Sequence, residues 1–359
     1  MSKNFDIIHG NPSQCLFAMV LPMMAAMFLN MAYNLVDSLW IGNLLGESAY
    51  AALTAATPIL LLLNSIAMGA TNGVAILLSQ AIGAGETRRT RTILFTSFIL
   101  SIVFSLGMTG LLEGMVSPLL RFLQVPSELY EMTCLYLRIY LIGYGAVYLY
   151  CYFAAVLRSF GDTVFQMLAM LVCTVLNGAL DPLLIHGFGL QGAAAATVLS
   201  QGICLGFMVC YLRKKALFSF HAADWSGKEL GTICLKSLPA AFQQSIPAIS
   251  TSVLTAIVSG FGVTALAAYG VAGKLELLLF YPAMSFQMVL TTIVGQCIGA
   301  GRRDRAWVYC KTALLWGGGL LIILSCGVVG LAHPLSELFV DSKAVAEVVA
   351  GYFQVVSVG

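Results

Sequence analysis

Apolar stretches of about 20 residues or more, the length that crosses roughly 30 Å of hydrocarbon, follow one another along this chain. They fall at 15–42, 52–82, 92–112, 132–157, 163–186, 191–213, 237–259, 265–298 and 308–332, with a tenth starting near 343. With 59% of its 359 residues apolar, 9% charged and a mean hydropathy of +0.91, the chain lacks the roughly 25% of charged residues with which a soluble domain covers itself. The bilayer must be its solvent, and the fold class is an all-α polytopic membrane protein. The first run, from Cys15 to about Gly42, is too long for the core of a signal peptide and reads as a spanning helix.

The breaks between spans carry the charge. GAGETRRTR (83–91), LRSFGDT (157–163), RKKALFSFHAADWSGKE (213–229) and GAGRRDRAW (299–307) alternate with breaks that hold almost no Lys or Arg. Assigning the basic breaks to the cytoplasm predicts a multi-pass inner-membrane protein with its N-terminus inside; only Arg121 and Lys343 then lie near outer loops. The net charge of +2 forms no clustered basic face, so nucleic acid is not an expected partner. Ten cysteines stand singly without C-x-x-C spacing, which suits reduced packing residues rather than disulfides or metal ligands. Neither H-E-x-x-H nor a DDxxD-like pair is present, so no enzyme chemistry is expected and no cofactor is implied. The glycine-rich turns lack the G-K-[ST] ending of a nucleotide loop.

Gln80-Ala81-Ile82-Gly83-Ala84-Gly85 recurs as Gln296-Cys297-Ile298-Gly299-Ala300-Gly301, a shift of 296 − 80 = 216. The same shift maps Gly46, Ala49, Ala51 and Ala52 onto Gly262, Ala265, Ala267 and Ala268, Pro118-Leu119 onto Pro334-Leu335, and Tyr136 onto Tyr352. An even number of spans separates the copies, so they share one orientation and are expected to be related by an axis along the membrane normal. The predicted organisation is a first six-helix half over 1–213, a cytoplasmic linker over 214–236, and a second half over 237–359 holding helices seven to nine and part of ten. A full second copy would run to about residue 429, so the second half is expected to be incomplete.

Nearly every acid falls in a break or at a span end. The exceptions are Asp37, Asp181 and Glu276, and acids inside spans are costly and therefore functional candidates. Asp37 ends a polar stripe of Asn30, Tyr33 and Asn34 on span one; Asp181 stands four residues after Asn177 on one face of span five. The topology puts Asp37, Asp181 and Thr197 at one depth in the outer half. Two carboxylates, an amide and a hydroxyl make an all-oxygen site fit for Na⁺, or for a carboxyl that keeps a proton. The alternative is that both acids reach outer water, with Asp181 ending its helix ahead of Pro182. Glu276 is a candidate second-half site, although it and Lys274 can also snorkel. Tyr136, Tyr140, Tyr144, Tyr148 and Tyr152 recur at four-residue steps on span four; the stripe suits either cation stacking, with Tyr140 and Tyr144 in a cavity, or helix packing. Met23, Met24, Met27 and Met31, with Met284 and Met288, suit either an adaptable cavity wall or a core. Arg158 and Asp162 are spaced to pair across the LRSFGDT turn.

The paired Q-x-I-G-A-G turns, the LRSFGDT loop and the YNLVDSLWIG end of the first span together resemble the MATE (multidrug and toxic compound extrusion) transporters, over essentially the whole chain. The resemblance implies two six-helix lobes in a V around a central cavity, and export of organic compounds, cationic or amphipathic, in exchange for H⁺ or Na⁺, by a monomer in the bilayer. It also implies that Asp37, Asn177, Asp181 and Thr197 fall where the DinF-like branch keeps its N-lobe cation site, and Pro22 where that branch kinks its first helix. The NorM-like branch carries an acid in helix seven, where this chain has Gln243 and Gln244; Gln243, with Asn30, Tyr33 and Asn34, is a candidate cavity residue. A flippase for a lipid-linked saccharide shares this architecture, but would line its cavity with many cationic residues, of which these spans hold almost none. A fragment unable to transport is the remaining alternative.

Overall fold

The computed structural model describes residues 7–123, 125–215, 217, 224–261, 263–330 and 351. Its helices are α1 (Pro12–Leu45), α2 (Glu47–Gly83), α3 (Thr87–Phe122), α4 (Ser127–Ile142), α5 (Tyr144–Ser159), α6 (Thr163–Phe188), α7 (Leu190–Lys214), α8 (Gly227–Ser259), α9 (Val263–Gly299) and α10 (Arg303–Gly330). Helices α1, α2, α3, α6, α7 and α10 are each long and apolar enough to cross a membrane, and α4 with α5 adds a seventh span. The tenth span expected from sequence lies outside the described residues.

Local chemistry sets the helix ends. Asn11 caps α1 by accepting from the backbone of Ser13 at 3.1 Å, with Pro12 in the first turn, where its missing N–H costs nothing. Asp162 caps α6 through Phe165 N at 3.2 Å, and Ser226 caps α8 through Glu229 N at 3.4 Å. The carboxylate of Asp162 also accepts from Tyr211 Oη at 2.6 Å and Lys215 Nζ at 2.9 Å. It therefore ties the start of α6 to the end of α7 and does not pair with Arg158, contrary to the expectation from spacing.

The repeat is visible helix by helix. Adding 216 to the bounds of α2 gives those of α9, and Thr87, which starts α3, maps onto Arg303, which starts α10. The two Q-x-I-G-A-G turns close alike: Gly85 N donates to Ile82 O and Gly301 N to Ile298 O, both at 3.0 Å. Gly85 and Gly301 hold φ of 69° and 73°, a left-handed conformation that glycine adopts without penalty.

The same motif joins the halves. A Cβ on Gly83 would collide with the Gln296 carbonyl, and one on Gly299 with the Gln80 carbonyl, while Gly295 backs onto Ser79. The first two contacts are 216-shifted images of each other, and Ser79 and Gly295 are themselves one shift apart, as a two-fold axis between the repeats requires. Further along α2, Gly69 and Gly73 let α8 approach at Ala241 and Ser237. Small residues replace the hydrophobic effect as the means of helix contact in lipid, because only close approach gains dispersion there. Arginines one repeat apart clasp this end: Arg89 donates to Glu229 at 2.9 Å, and Arg305 to the carbonyls of Ile7, at 2.8 Å, and Gly10. Each secures the chain entering the other half's first helix.

Along α1 the halves meet through aromatic rings. On α1, Phe17 meets Trp316 and Phe28 meets Tyr281, each edge to face. Leu35 and Leu39 continue that face of the helix and are 53% and 54% exposed. Among the described residues, the ring contacts across this seam between α1 and the second repeat lie on the part of the helix nearer the basic turns. Met19, Met23 and Met27 pack with Met284 and Met288 in that part, while Met31 is half-buried.

Span four is not one helix. It bends by 50° at Gly143, where a Cβ would strike the Val198 side chain of α7. The rings of Tyr136, Tyr140, Tyr144, Tyr148 and Tyr152 are buried in the first repeat. Tyr140 Oη accepts from Asn64 at 3.3 Å, Tyr144 Oη donates to Leu63 O at 3.0 Å, and Tyr152 Oη donates to Leu94 O at 2.8 Å. Tyr140 and Tyr144 therefore lie in the packing against α2 rather than on an open wall.

Gly83→Leu or Gly299→Leu forces the crossing apart and is expected to destabilise the protein by about 1–3 kcal/mol, whereas Gly107→Ala, with open space around it, is expected to be neutral or slightly stabilising. Thermal unfolding in detergent, followed by tryptophan fluorescence, checks the difference.

Candidate functional site

α1 and α6 pack along each other and bring Asp37, Asn177 and Asp181 together. Gly178 lies at this crossing, where a Cβ would touch the Val36 side chain at 3.4 Å, an ordinary van der Waals contact. α6 does not end at Asp181: it runs through Pro182 to Phe188. Proline has no N–H, so the Gly178 carbonyl loses its intrahelical donor one turn earlier. Asp37 is 8% exposed, and Asp181 and Asn177 are fully buried.

Asn177 Nδ2 donates to Asp181 Oδ1 at 3.1 Å, and the carboxyls of Asp37 and Asp181 adjoin. Four oxygens of this cluster are buried with no hydrogen-bond partner: Asp37 Oδ1, Asp181 Oδ2, Asn177 Oδ1 and Tyr33 Oη. Buried polar atoms are nearly always satisfied, and two buried carboxylates side by side need a proton or a cation between them. The donor set is all oxygen, which fits H⁺ or a hard monovalent ion such as Na⁺. Among the described residues no group of three or more His, Cys, Asp and Glu is placed to hold a metal.

Thr197 stands on α7 beside Tyr33, together with Ser200; their hydroxyls lie near the Tyr33 phenol without reaching it in hydrogen-bonding geometry. Tyr33 lies near both Thr197 and Asp37, is 5% exposed, and belongs to this cluster rather than to an open surface. Two further neighbours were not singled out for this role from sequence. Ser200 is three residues beyond Thr197 on the same helix, and Tyr136, the first ring of the tyrosine stripe, lies in electrostatic reach of Asp37, Asp181 and Tyr33. The stripe's spacing marked Tyr136, but nothing in the spacing placed it near an acid on another helix.

The other candidates lie apart. Asn34 is exposed and turns its amide back to the Asn30 carbonyl at 2.7 Å. Gln243 is exposed on α8, and Glu276 is half-buried on α9 near Tyr269. Pro22 lies inside α1 fifteen residues before Asp37. Glu113, left outside span three by its apolar run, sits within α3 and pairs with Arg138 at 4.0 Å.

The model of the MatE family matches residues 22–183 and 239–359. A probable multidrug resistance protein of Bacillus subtilis, YpnP, is 29% identical over 84% of this chain and 69% of its own length. An FAD transporter of Shewanella oneidensis is 28% identical over 99% of this chain and 80% of its own. A MOP-superfamily transporter from Pyrococcus furiosus has the same fold, with a TM-score of 0.89 and 24% identity over all of this chain and 81% of that one.

Dicyclohexylcarbodiimide attacks protonated carboxyls in apolar surroundings, and is expected to label the Asp37/Asp181 pair. Labelling should fall as pH rises and should vanish from these peptides in the Asp37→Asn, Asp181→Asn double variant, as read by mass spectrometry. Protection by Na⁺ but not by choline would show that the ion enters the same oxygens.

Proposed function

As this chain belongs to the MatE family of multi-pass membrane transporters, and is not an enzyme, we propose that it is a secondary antiporter that exports organic compounds in exchange for H⁺ or Na⁺ bound at Asp37 and Asp181. The observation that carries this reading is the buried carboxyl pair with its unpartnered oxygens. The names of its relatives, multidrug resistance proteins and an FAD transporter, support small organic cargo. The density of Lys and Arg at the closed end of the seam supports placing that end, and the N-terminus, in the cytoplasm.

In this mechanism the ion is taken up in a state open to the outside. A proton or Na⁺ enters between Asp37 and Asp181 and removes the repulsion between their charges. A ligand shifts a conformational equilibrium only by its difference in affinity for the two states, and the occupied and empty pair supplies that difference. Asn177 holds Asp181 in place, and Tyr33 with Thr197 closes the inner side. α1 carries Asp37 on the face toward α6 and Phe17 and Phe28 on the face toward the second repeat, so a movement at the pair reaches the seam through one helix. Pro22 lies between Phe17 and Phe28, where a missing backbone hydrogen bond eases bending.

Efflux of ethidium from cells deprived of their own exporters tests the assignment. Asp37→Asn and Asp181→Asn are expected each to cut coupled efflux at least tenfold. Wild-type rates in Asp37→Asn would remove the site from the mechanism. Imposing pH and Na⁺ gradients separately in vesicles identifies the ion.

A further inference from the structure

One buried charge has no part in that exchange. Arg158 lies in the last turn of α5, at the closed and basic end of the seam, yet is only 3% exposed. An arginine so placed ordinarily snorkels to the adjacent water. This one extends toward the start of its helix, as helical side chains lean. Its Nη2 meets Asn72 Oδ1 on α2 at 3.5 Å, about 16 Å along that helix from its end at Gly83. Its Nε has no partner, and the ion pairs among the described residues belong to other cations.

The position is a junction. On α2, Asn72 adjoins Gly73, backed onto Ser237 of α8, and lies three residues before Ala75, whose carbonyl accepts from Ser159 at 3.4 Å. The Ser159 carbonyl in turn accepts from Gln296 of α9 at 2.8 Å. The guanidinium is thus held where α2, α5 and the second repeat meet, on the floor of the seam. A buried guanidinium without a counter-charge is unfavourable, and its planar fork matches the oxygens of phosphate and carboxylate.

We propose that Arg158 and Asn72 form a binding site for an anionic group, phosphate or carboxylate, engaged as the seam opens at the basic end. The inference rests on the exporter reading and narrows its organic cargo to compounds that carry an anionic group. An anionic lipid headgroup offers the same chemistry.

The full chain in phosphatidylcholine nanodiscs, titrated with FAD as the anionic probe and ethidium as the cationic one, provides the test. Arg158→Gln is expected to weaken FAD binding at least tenfold and Arg158→Lys by less, with ethidium affinity unchanged. Equal FAD affinity in Arg158→Gln, FAD binding absent while ethidium binds, or loss of both probes together in the variant overturns the proposal. Wild-type protein that binds neither probe overturns the exporter reading and this inference with it. Repeating the titration with phosphatidylglycerol separates the sources. Unchanged FAD affinity assigns the site to the transported compound; competition seen in wild type but not in Arg158→Gln assigns it to a headgroup.

Discussion

Everything in this structure hangs on two glycines that let two carbonyls in. Gly83 admits the backbone of Gln296 and Gly299 that of Gln80, so the repeats cross with nothing between them. In lipid there is little to gain from burying apolar side chains against each other, and contact energy comes from closeness. The crossing therefore places the axis between the halves and closes the seam at the basic end. The clasps by Arg89 and Arg305 hold that closed end and, with side chains partly in water, suit it to release.

α1 is the element through which the two functions of the molecule meet. One face carries Tyr33 and Asp37 into α6 and α7; the other carries Phe17, Met24 and Phe28 into α9 and α10. In the proposed exchange, occupancy of the carboxyls and the width of the seam are two readings of the position of one helix. Packed interfaces of this kind switch between discrete arrangements rather than deform continuously. The methionines at the seam, Met23, Met27, Met284 and Met288, can repack without losing contact, since an unbranched thioether adapts to irregular gaps.

Much of this was legible in the residues themselves. The 216-residue shift read from the paired turns is the one that relates the bounds of α2 and α9, because identical turn chemistry recurs wherever the backbone repeats. Asp37, Asn177 and Asp181 were read as one site from helical spacing and depth, and the structure brings their side chains together. Local spacing failed where a tertiary contact decided the outcome. The four-residue tyrosine steps suggested one straight helix, but Val198 of α7 presses on Gly143 and the span bends there. Arg158 and Asp162 were spaced to pair, yet Lys215, arriving from the far end of α7, takes Asp162 and leaves Arg158 pointing into the protein. Tyr33 looked like a cavity residue because its stripe faces one way, and only the position of α7 shows that this way is inward.

The central claim is that cation and cargo compete through Asp37 and Asp181. Linkage between two ligands is reciprocal, so it is measurable by binding alone. Ethidium affinity of the reconstituted protein, titrated across pH and across Na⁺ concentration, is the most direct measurement. The account predicts that affinity falls as protons or Na⁺ fill the pair, and that this dependence disappears in the Asp37→Asn, Asp181→Asn variant. Affinity that ignores both ions in wild type, or a dependence that survives in the variant, would contradict it.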